Sequence, residues 1–463
     1  MEGQSEVSVD VGVAPARKAK NFPLYQTLTR FVRDPLREIQ RISNAADGQV
    51  ARLDLGASRP FIVTHPDHVQ QVLRTESEIF VRDGTFWRPL HGLFGDSIMS
   101  EYAEWEVSKR ILQPVLSTKT IRSLSEHMAS TIDQAVGELA GPAREGRPIE
   151  VLPEMGRIVN DTVTRVLFGD KIRQAEADRL IPAMEQLATS IAFRFLLPFV
   201  PKSIPLPGDR AFAEGLRAMD ETLFELVDRF RYDAGEGYDI FTALCKARMT
   251  EGSGLDDTWI RDNLLAMWAT STETTTVALT WIWPLLAGRP DVAGRLADEV
   301  RAVVAPGEAV RPEHLSELPY VRQVVQELLR LYPVGWIFPR ITLKETEIGG
   351  VRVKAGQTVL ISPFLTQRLE SVWEGAAEFR PERFAPDKAR TYHRYAYFPF
   401  GGGPHQCIGR HVFNMEAELI LTSVISRFTP QVQPTEGPVE PRIGATLRPN
   451  QPIHMLLHPV EGR

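Results

Sequence analysis

The sequence predicts a mainly α-helical protein with a small β-rich lobe. Helical periodicity fills most of the chain, and the longest helix candidate runs from Asp256 to Ala287, with Asp256 or Asp257 as its N-cap. About thirty residues at 1.5 Å each span roughly 45 Å, which is enough to cross a domain. The strand candidates are short and lie at Val50–Leu55, Pro60–Thr64, Glu347–Gly349 and Thr358–Ile361.

The sequence indicates a single domain. No Gly/Ser-rich linker, low-complexity tract or internal repeat divides its 463 residues. We therefore expect a single large domain over residues 22–463, preceded by a flexible, polar tail at residues 1–21. Residues 80–100 carry glycines and aromatic side chains, and they predict a loop long enough to take part in binding.

Composition excludes several classes of function. Apolar residues make up 43% and charged residues 24% of the chain, as in soluble globular proteins. The net charge is −6 and no long Lys/Arg run is present, so we expect no nucleic-acid partner. The first twenty residues lack the apolar core of a signal peptide or membrane anchor. Two cysteines, Cys245 and Cys407, do not support a disulfide framework and favour a reducing, cytoplasmic compartment.

The most informative stretch lies at residues 398–410, Phe-Pro-Phe-Gly-Gly-Gly-Pro-His-Gln-Cys-Ile-Gly-Arg. Its glycines and proline prevent a regular element, whereas Gly409 to Arg427 predicts an amphipathic helix. Cys407 would then lie where a loop meets a helix N-terminus, and backbone amides and the helix dipole favour a thiolate there. The alternative is a small buried cysteine in a tight turn.

The spacing of Phe400, Gly403, His405, Cys407 and Gly409 resembles the haem-binding loop of the cytochrome P-450 family, F-x-x-G-x-[HR]-x-C-x-G. The resemblance implies a P-450 catalytic domain with its long central helix over the haem. It also implies that Cys407 is the axial thiolate on the iron of haem b. Phe400 would pack beside the haem, and Gly403 and Gly409 would allow close backbone approach. His405 would face a haem propionate.

Further family-like positions surround this loop. Trp105 and Lys109 match the motif W-x-x-x-[RK], which alone indicates only an amphipathic helix with a solvated base. By the resemblance, both side chains meet one haem propionate and Arg340 contacts the other.

A polar run interrupts the longest helix candidate. Residues 270–276 include six hydroxyl side chains in seven positions, although threonine is a mediocre helix former. The hydroxyls can bond back to their own helix, with Glu273 paired elsewhere or hydrated. Alternatively, Glu273-Thr274-Thr275 resembles the second half of the family motif [AG]-G-x-[DE]-T-[TS]. Thr274 would then hold water at the dioxygen site and Glu273 would help deliver protons. Ser271 replaces the family glycine, which leaves the shape of the cavity there open.

Glu327 and Arg330 lie at i and i+3 on a predicted helix and so share a face. Such a pair alone is typical of a protein surface. Together with Arg383 of Pro381-Glu-Arg-Phe384, it resembles the E-x-x-R and P-E-R-F network of the family. That network would hold the cysteine-bearing loop through charge-assisted hydrogen bonds. Gln367 stands where the family often has histidine.

The resemblance implies a haem-thiolate monooxygenase of secondary metabolism that inserts one atom of dioxygen into a lipophilic small molecule, such as a terpenoid, polyketide or fatty acid. No flavin or nicotinamide domain is recognised, so we expect a separate ferredoxin and ferredoxin reductase, or an equivalent pair. The alternatives are a peroxide-using peroxygenase and a haem-binding sensor without turnover. The segment 191–201 would cap the substrate entrance. Candidate cavity residues are Phe86, Trp87, Phe193, Phe195, Trp268, Val334, Trp336 and Phe338.

Overall fold

The structure, a computed structural model, describes residues 17–56, 58–84, 86–190 and 203–460. Helices dominate it, as the sequence predicts. They are α1 Leu24–Arg33, α2 Pro35–Ala46, α3 Pro66–Gln70, α4 Trp87–Phe94, α5 Tyr102–Val115, α6 Thr118–Gly137, α7 Ala140–Glu145, α8 Val151–Phe168, α9 Gln174–Ser190, α10 Asp209–Arg229, α11 Ile240–Met249, α12 Asp257–Ala287, α13 Pro290–Val303, α14 Pro319–Leu331, α15 Pro363–Thr366, α16 Pro386–Ala389 and α17 Arg410–Arg427.

The strands are short and form a β-rich lobe. They are β1 Lys20–Phe22, β2 Ala51–Leu53, β3 Phe61–Val63, β4 Phe80–Val81, β5 Ile149–Glu150, β6 Phe338–Thr342, β7 Thr346–Ile348, β8 Val351–Val353, β9 Thr358–Ile361, β10 Phe428–Val432, β11 Pro441–Arg442, β12 Arg448–Pro449 and β13 His454–Pro459. The largest sheet has the order β1-β2-β3-β9-β6-β4 and a second sheet has the order β10-β13-β5. β7 pairs with β8 and β11 with β12 as two-stranded antiparallel ribbons.

α12 is the central element of the helical part. Its N-cap is Asp256, whose side chain accepts a hydrogen bond from the Trp259 amide at 2.8 Å, and the helix continues to Ala287, as predicted. α8, α10, α14 and α17 pack around it. Residues 259–268 and 275–283 are all buried, whereas positions 269, 270, 271, 273 and 274 are only half-buried. Among the described residues, no helix is both long and apolar enough to cross a membrane.

Three predictions about elements need correction. Residues 80–100 are not all loop, because β4 and α4 lie within them. The C-terminal helix begins at Arg410 with Gly409 as N-cap, but it has no solvated face: residues 416–426 are all buried, because α6, α12, α13 and α14 surround it. The tail predicted for residues 1–21 overlaps the first strand, because Lys20 and Asn21 pair in parallel with β2.

Candidate functional site

The loop that carries Cys407 is shaped by glycines. Gly401 and Gly403 have φ values of 69° and 66°, which side-chain-bearing residues rarely adopt. A Cβ on Gly403 would lie 1.7 Å from the Leu73 carbonyl oxygen, so this glycine permits close approach to the neighbouring segment Gln71–Thr75. The Cys407 amide donates to the Phe400 carbonyl at 2.9 Å and closes the loop just before α17.

Cys407 lies three residues before Arg410, the first residue of α17. Burial raises the pKa of this thiol, while the amides of Gly409 and Arg410 and the Arg410 charge act in the opposite direction. The side chain nevertheless has accessible surface. A Cβ placed on Gly409 would meet only the Cys407 sulfur, at 3.8 Å, among the described atoms within 4 Å. By contrast, Cys245 is fully buried, and burial raises its pKa to about 11. Metal coordination would keep the Cys407 sulfur deprotonated despite its surroundings.

Three side chains predicted to approach a propionate lie together beside the loop. The Trp105 and His405 ring centroids are 4.1 Å apart. The Lys109 ammonium lies 4.6 Å from the Trp105 ring centroid and donates to the Pro404 carbonyl at 2.7 Å. Burial and the charge of Arg82 both lower the pKa of Lys109. Phe400 packs edge-on against Phe413, with ring centroids 5.4 Å apart.

Arg82 and Glu101 complete this cluster and were missed from the sequence. Glu101 Oε1 lies 2.8 Å from His405 Nε2, and Glu101 Oε2 accepts from Arg82 Nε at 3.0 Å. Burial alone would raise the pKa of Glu101, but His405 and Arg82 hold it at about 2. Burial lowers the pKa of His405, and no partner for its Nδ1 is found in the described part of the chain. Neither Arg82 nor Glu101 belongs to a motif, and their pairing joins positions nineteen residues apart.

Arg340 is buried in the same cluster on β6. Burial and the charge of Arg82 lower its pKa to about 9, and its guanidinium donates to the carbonyl of Pro339. The guanidinium groups of Arg82 and Arg340 lie 5.6 and 5.7 Å from the Trp87 ring centroid. In the described structure Arg340 pairs with no carboxylate.

The charges of the cluster test whether a haem fits there. Arg82, Lys109 and Arg340 are three basic side chains, and Glu101 is the carboxylate that faces them. An excess of two positive charges therefore surrounds His405, whose Nδ1 has no partner among the described residues and which stands two residues before the accessible Cys407. Two propionates would balance that excess. The residues present fit a haem, and Cys407 is the residue that would hold its iron.

The hydroxyl run lies in the middle of α12, where half-buried positions separate two buried stretches of the helix. Thr270, Thr272 and Thr274 each donate back to the carbonyl four residues earlier, at 2.7, 3.1 and 2.7 Å. Glu273 points to a different side and is bound by the β11–β12 ribbon. Its carboxylate accepts from Thr446 Oγ1 at 2.7 Å and from Arg448 Nε at 2.8 Å. The expected acid and alcohol are thus adjacent in sequence, but each has another partner.

A buried ion pair supports the cysteine loop. Arg330 and Glu327 are both completely buried, and two hydrogen bonds of 2.7 and 2.8 Å join them. Arg330 also donates to the carbonyls of Gln367, Ala376 and Glu378. The pair is therefore not a surface feature. It holds the segment that leads toward the loop.

Two more residues extend this support. Arg383 Nε lies 3.4 Å from Glu327 Oε1, and Arg383 Nη2 donates to the Gly375 carbonyl at 2.7 Å. Gln367 is buried; its amide nitrogen donates to the carbonyls at the end of α14, and its oxygen accepts from the Phe398 amide at 2.9 Å. Gln367 thereby connects α14 directly to the start of the cysteine loop.

Several predicted cavity residues have other roles. Trp268 is buried in the core against Phe168, because its face of α12 packs on α8 rather than on an open space. Trp87 donates to the Pro339 carbonyl at 2.9 Å and lies beneath the two arginines. Trp336 is buried in a second core. Val334 is buried, whereas Phe86 and Phe338 are half-buried, and Phe338 contacts the region of Gly335 and Gly401. Phe193 and Phe195 lie outside the described residues.

Comparison with known proteins identifies the family. The family model of cytochrome P450 matches residues 17–457. The chain belongs to the cytochrome P450 family. It is therefore a monooxygenase whose family binds haem through a thiolate. The fold agrees with the crystal structure of the cytochrome P450DA haem domain, with a TM-score of 0.84, 21% identity and coverage of 96% of this chain and 98% of that one.

Relatives from Streptomyces match nearly the full length. Pentalenene oxygenase of Streptomyces avermitilis is 28% identical over 94% of both chains. Cyclooctat-9-en-7-ol 5-monooxygenase of Streptomyces melanosporofaciens is 29% identical over 92% of this chain and 90% of its own. Cyclooctatin synthase of the same organism is 30% identical over 95% and 94%.

Proposed function

We propose that this cytochrome P450 oxidises a cyclic terpenoid, that Cys407 is its axial haem ligand, and that a separate ferredoxin and ferredoxin reductase supply its electrons. The observation that carries the site assignment is the accessible Cys407 sulfur at the N-terminus of α17, beside a cluster with two excess positive charges. Haem bound there would supply the activation of dioxygen. The roles below belong to the side chains of this chain.

Binding of the haem propionates is assigned to Arg82, Trp105, Lys109, Arg340 and His405. Arg82 and Arg340 are rigid guanidinium donors suited to carboxylates, and Lys109 adds a third charge. Glu101 orients Arg82 and His405 by binding both. Because Arg340 is buried without a carboxylate among the described residues, its charge is the one that gains most from a propionate.

Proton delivery to the dioxygen site is assigned to Thr274 and Glu273. Thr274 is half-buried in the middle of α12, between two buried stretches of the helix, and its hydroxyl can hold a water there. Glu273, next in sequence, retains accessible surface and can exchange protons with water. Ser271 adds a second hydroxyl on the same turn and provides an alternative water site.

The terpenoid substrate is proposed from the relatives named above. Their names describe oxidation of pentalenene and of cyclooctat-9-en-7-ol, both cyclic terpenoids, and the matches cover 92% to 95% of this chain. A polyketide or a fatty acid is the alternative lipophilic class. A spin-state titration of the haem-loaded protein with both terpenoids, a macrolactone and a long-chain fatty acid separates them. We expect a shift with a terpenoid; a shift with the fatty acid alone would refute the substrate proposal.

Turnover then distinguishes monooxygenase, peroxygenase and sensor behaviour. With ferredoxin, its reductase, NAD(P)H and the terpenoid that shifts the spectrum, we expect an oxygenated product. Product from hydrogen peroxide alone, at a rate equal to that with the reductase chain, would favour the peroxygenase. Ligand binding with neither product nor NAD(P)H consumption would favour the sensor.

A further inference from the structure

The side chains of Glu273 and Thr274, which are proposed to deliver protons, each form hydrogen bonds to other partners. Three bonds from the β11–β12 ribbon hold the Glu273 carboxylate: Thr446 Oγ1 at 2.7 Å and Arg448 Nε at 2.8 Å to one oxygen, and Arg448 Nη2 at 2.5 Å to the other. The Thr274 hydroxyl instead donates to Thr270 O at 2.7 Å. Neighbouring residues on a helix point about 100° apart, so the carboxylate can turn toward Thr274 only after leaving the ribbon.

The ribbon does not need Glu273 for its own position. The Trp281 indole donates to Leu447 O at 2.7 Å, and the Trp336 indole donates to Gly444 O at 3.2 Å. The Leu447 side chain is also completely buried. By contrast, the Arg448 and Glu273 side chains are 41% and 26% exposed. The two indole hydrogen bonds and the buried Leu447 therefore fix the ribbon, while the ion pair lies where water can reach it.

We infer that Arg448 and Thr446 are positioning residues that lock Glu273 away from the oxygen side, so that release of this contact controls proton delivery. The inference rests on the proposed role of Glu273 and Thr274. A bidentate arginine–carboxylate contact is a strong, directional restraint, and Thr446 occupies the same oxygen from a second direction. When this contact is released and no substrate is bound, dioxygen that has taken up two electrons from NAD(P)H and two protons leaves as hydrogen peroxide.

The test compares Arg448→Gln with Arg442→Gln. Arg442 lies opposite Arg448 in the same ribbon and carries the same charge, but forms no ion pair with Glu273. In the haem-loaded enzyme without substrate, we expect Arg448→Gln to raise peroxide release by about tenfold, the order of one lost charge-assisted hydrogen bond. Arg442→Gln should match the parent, and Arg448→Lys should restore much of the restraint. A crystal structure of Arg448→Gln should show the carboxylate away from Thr446.

The double variant Glu273→Gln with Arg448→Gln separates a lock from a merely structural role. If the raised peroxide release depends on proton transfer by the Glu273 carboxylate, the double variant returns to the low peroxide release of Glu273→Gln alone. Raised peroxide release that persists in the double variant would overturn the inference. Equal peroxide release from Arg448→Gln and Arg442→Gln would also overturn it, and so would a Glu273 carboxylate that stays bound to the ribbon in Arg448→Gln. If Glu273→Gln alone forms product like the parent, the proposed proton role itself fails, and the lock fails with it.

Discussion

Glu416 provides a prediction about stability whose sign and size follow from the structure. It lies on α17 against Thr275 of α12, is 1% exposed, and leaves Oε1 without a hydrogen-bond partner in the described part of the chain. Burial raises its pKa to about 8, although the bond with Thr275 acts in the opposite direction. The carboxyl group is therefore neutral in the folded protein at pH 7, whereas it is ionised in the unfolded chain, where its pKa is near 4.5.

The folded state consequently holds a proton that the unfolded chain has released. The stability from this group is fully present below the unfolded pKa and is lost as pH rises through the folded pKa. Between pH 6 and pH 8 the free energy of unfolding falls by up to about 1.4 kcal/mol per pH unit, or about 2 to 3 kcal/mol in all. For a chain of this length that corresponds to about 2 to 3 °C in Tm.

The variant Glu416→Gln keeps the shape and removes the titration. We measure Tm by circular dichroism at pH 6, 7 and 8 for the parent, for Glu416→Gln and for Glu436→Gln, which removes an exposed carboxylate. The difference in Tm between Glu416→Gln and the parent should become more favourable to the variant as pH rises, whereas Glu436→Gln should follow the parent. Parallel pH curves for Glu416→Gln and the parent would show that the buried group does not titrate as described.

Two other substitutions test the support and the relay. Arg330→Ala should cost about 3 to 5 kcal/mol, because it leaves Glu327 buried and unpaired; poor haem incorporation, read from the ratio of haem to protein absorbance, is expected, and full haem loading would contradict the structural role. Thr274→Ala should still bind haem and substrate, but product per NAD(P)H should fall by about 100-fold or more while peroxide rises. If Ser271→Gly combined with Thr274→Ala still couples like the parent, Thr274 is not in the relay.

The sequence was informative where the signal is local. The cap of α12 was predicted because Asp256 needs only the amide three residues ahead. The glycines of the cysteine loop were recognised because positive φ is a property of each residue alone. Glu327 and Arg330 were paired because one helix carries both.

Contacts between distant segments were not predictable in the same way. Arg82 and Glu101 join the cluster around His405 only because the fold brings the end of β4 and the start of α5 against the loop of His405. The partner of Glu273 comes from Arg448, 175 residues further along, with no motif to indicate it. Trp268 was assigned to the cavity because it lies on the central helix α12. The packing of α8 against α12 decides which face of that helix is core, and Trp268 lies on that face. α17 was predicted to be amphipathic because its apolar residues Val412, Met415, Leu419 and Leu421 recur at helical spacing. The surrounding helices bury its polar residues as well.

The most direct test of the central claim is the absorption spectrum of the reduced carbon monoxide complex. Thiolate ligation gives a strongly red-shifted Soret band. The parent and Cys245→Ala, which removes the other cysteine of the chain, should both show this band, and Cys407→Ala should bind little haem or give an unshifted band. A red-shifted band retained in Cys407→Ala would contradict the assignment of Cys407 as the haem ligand.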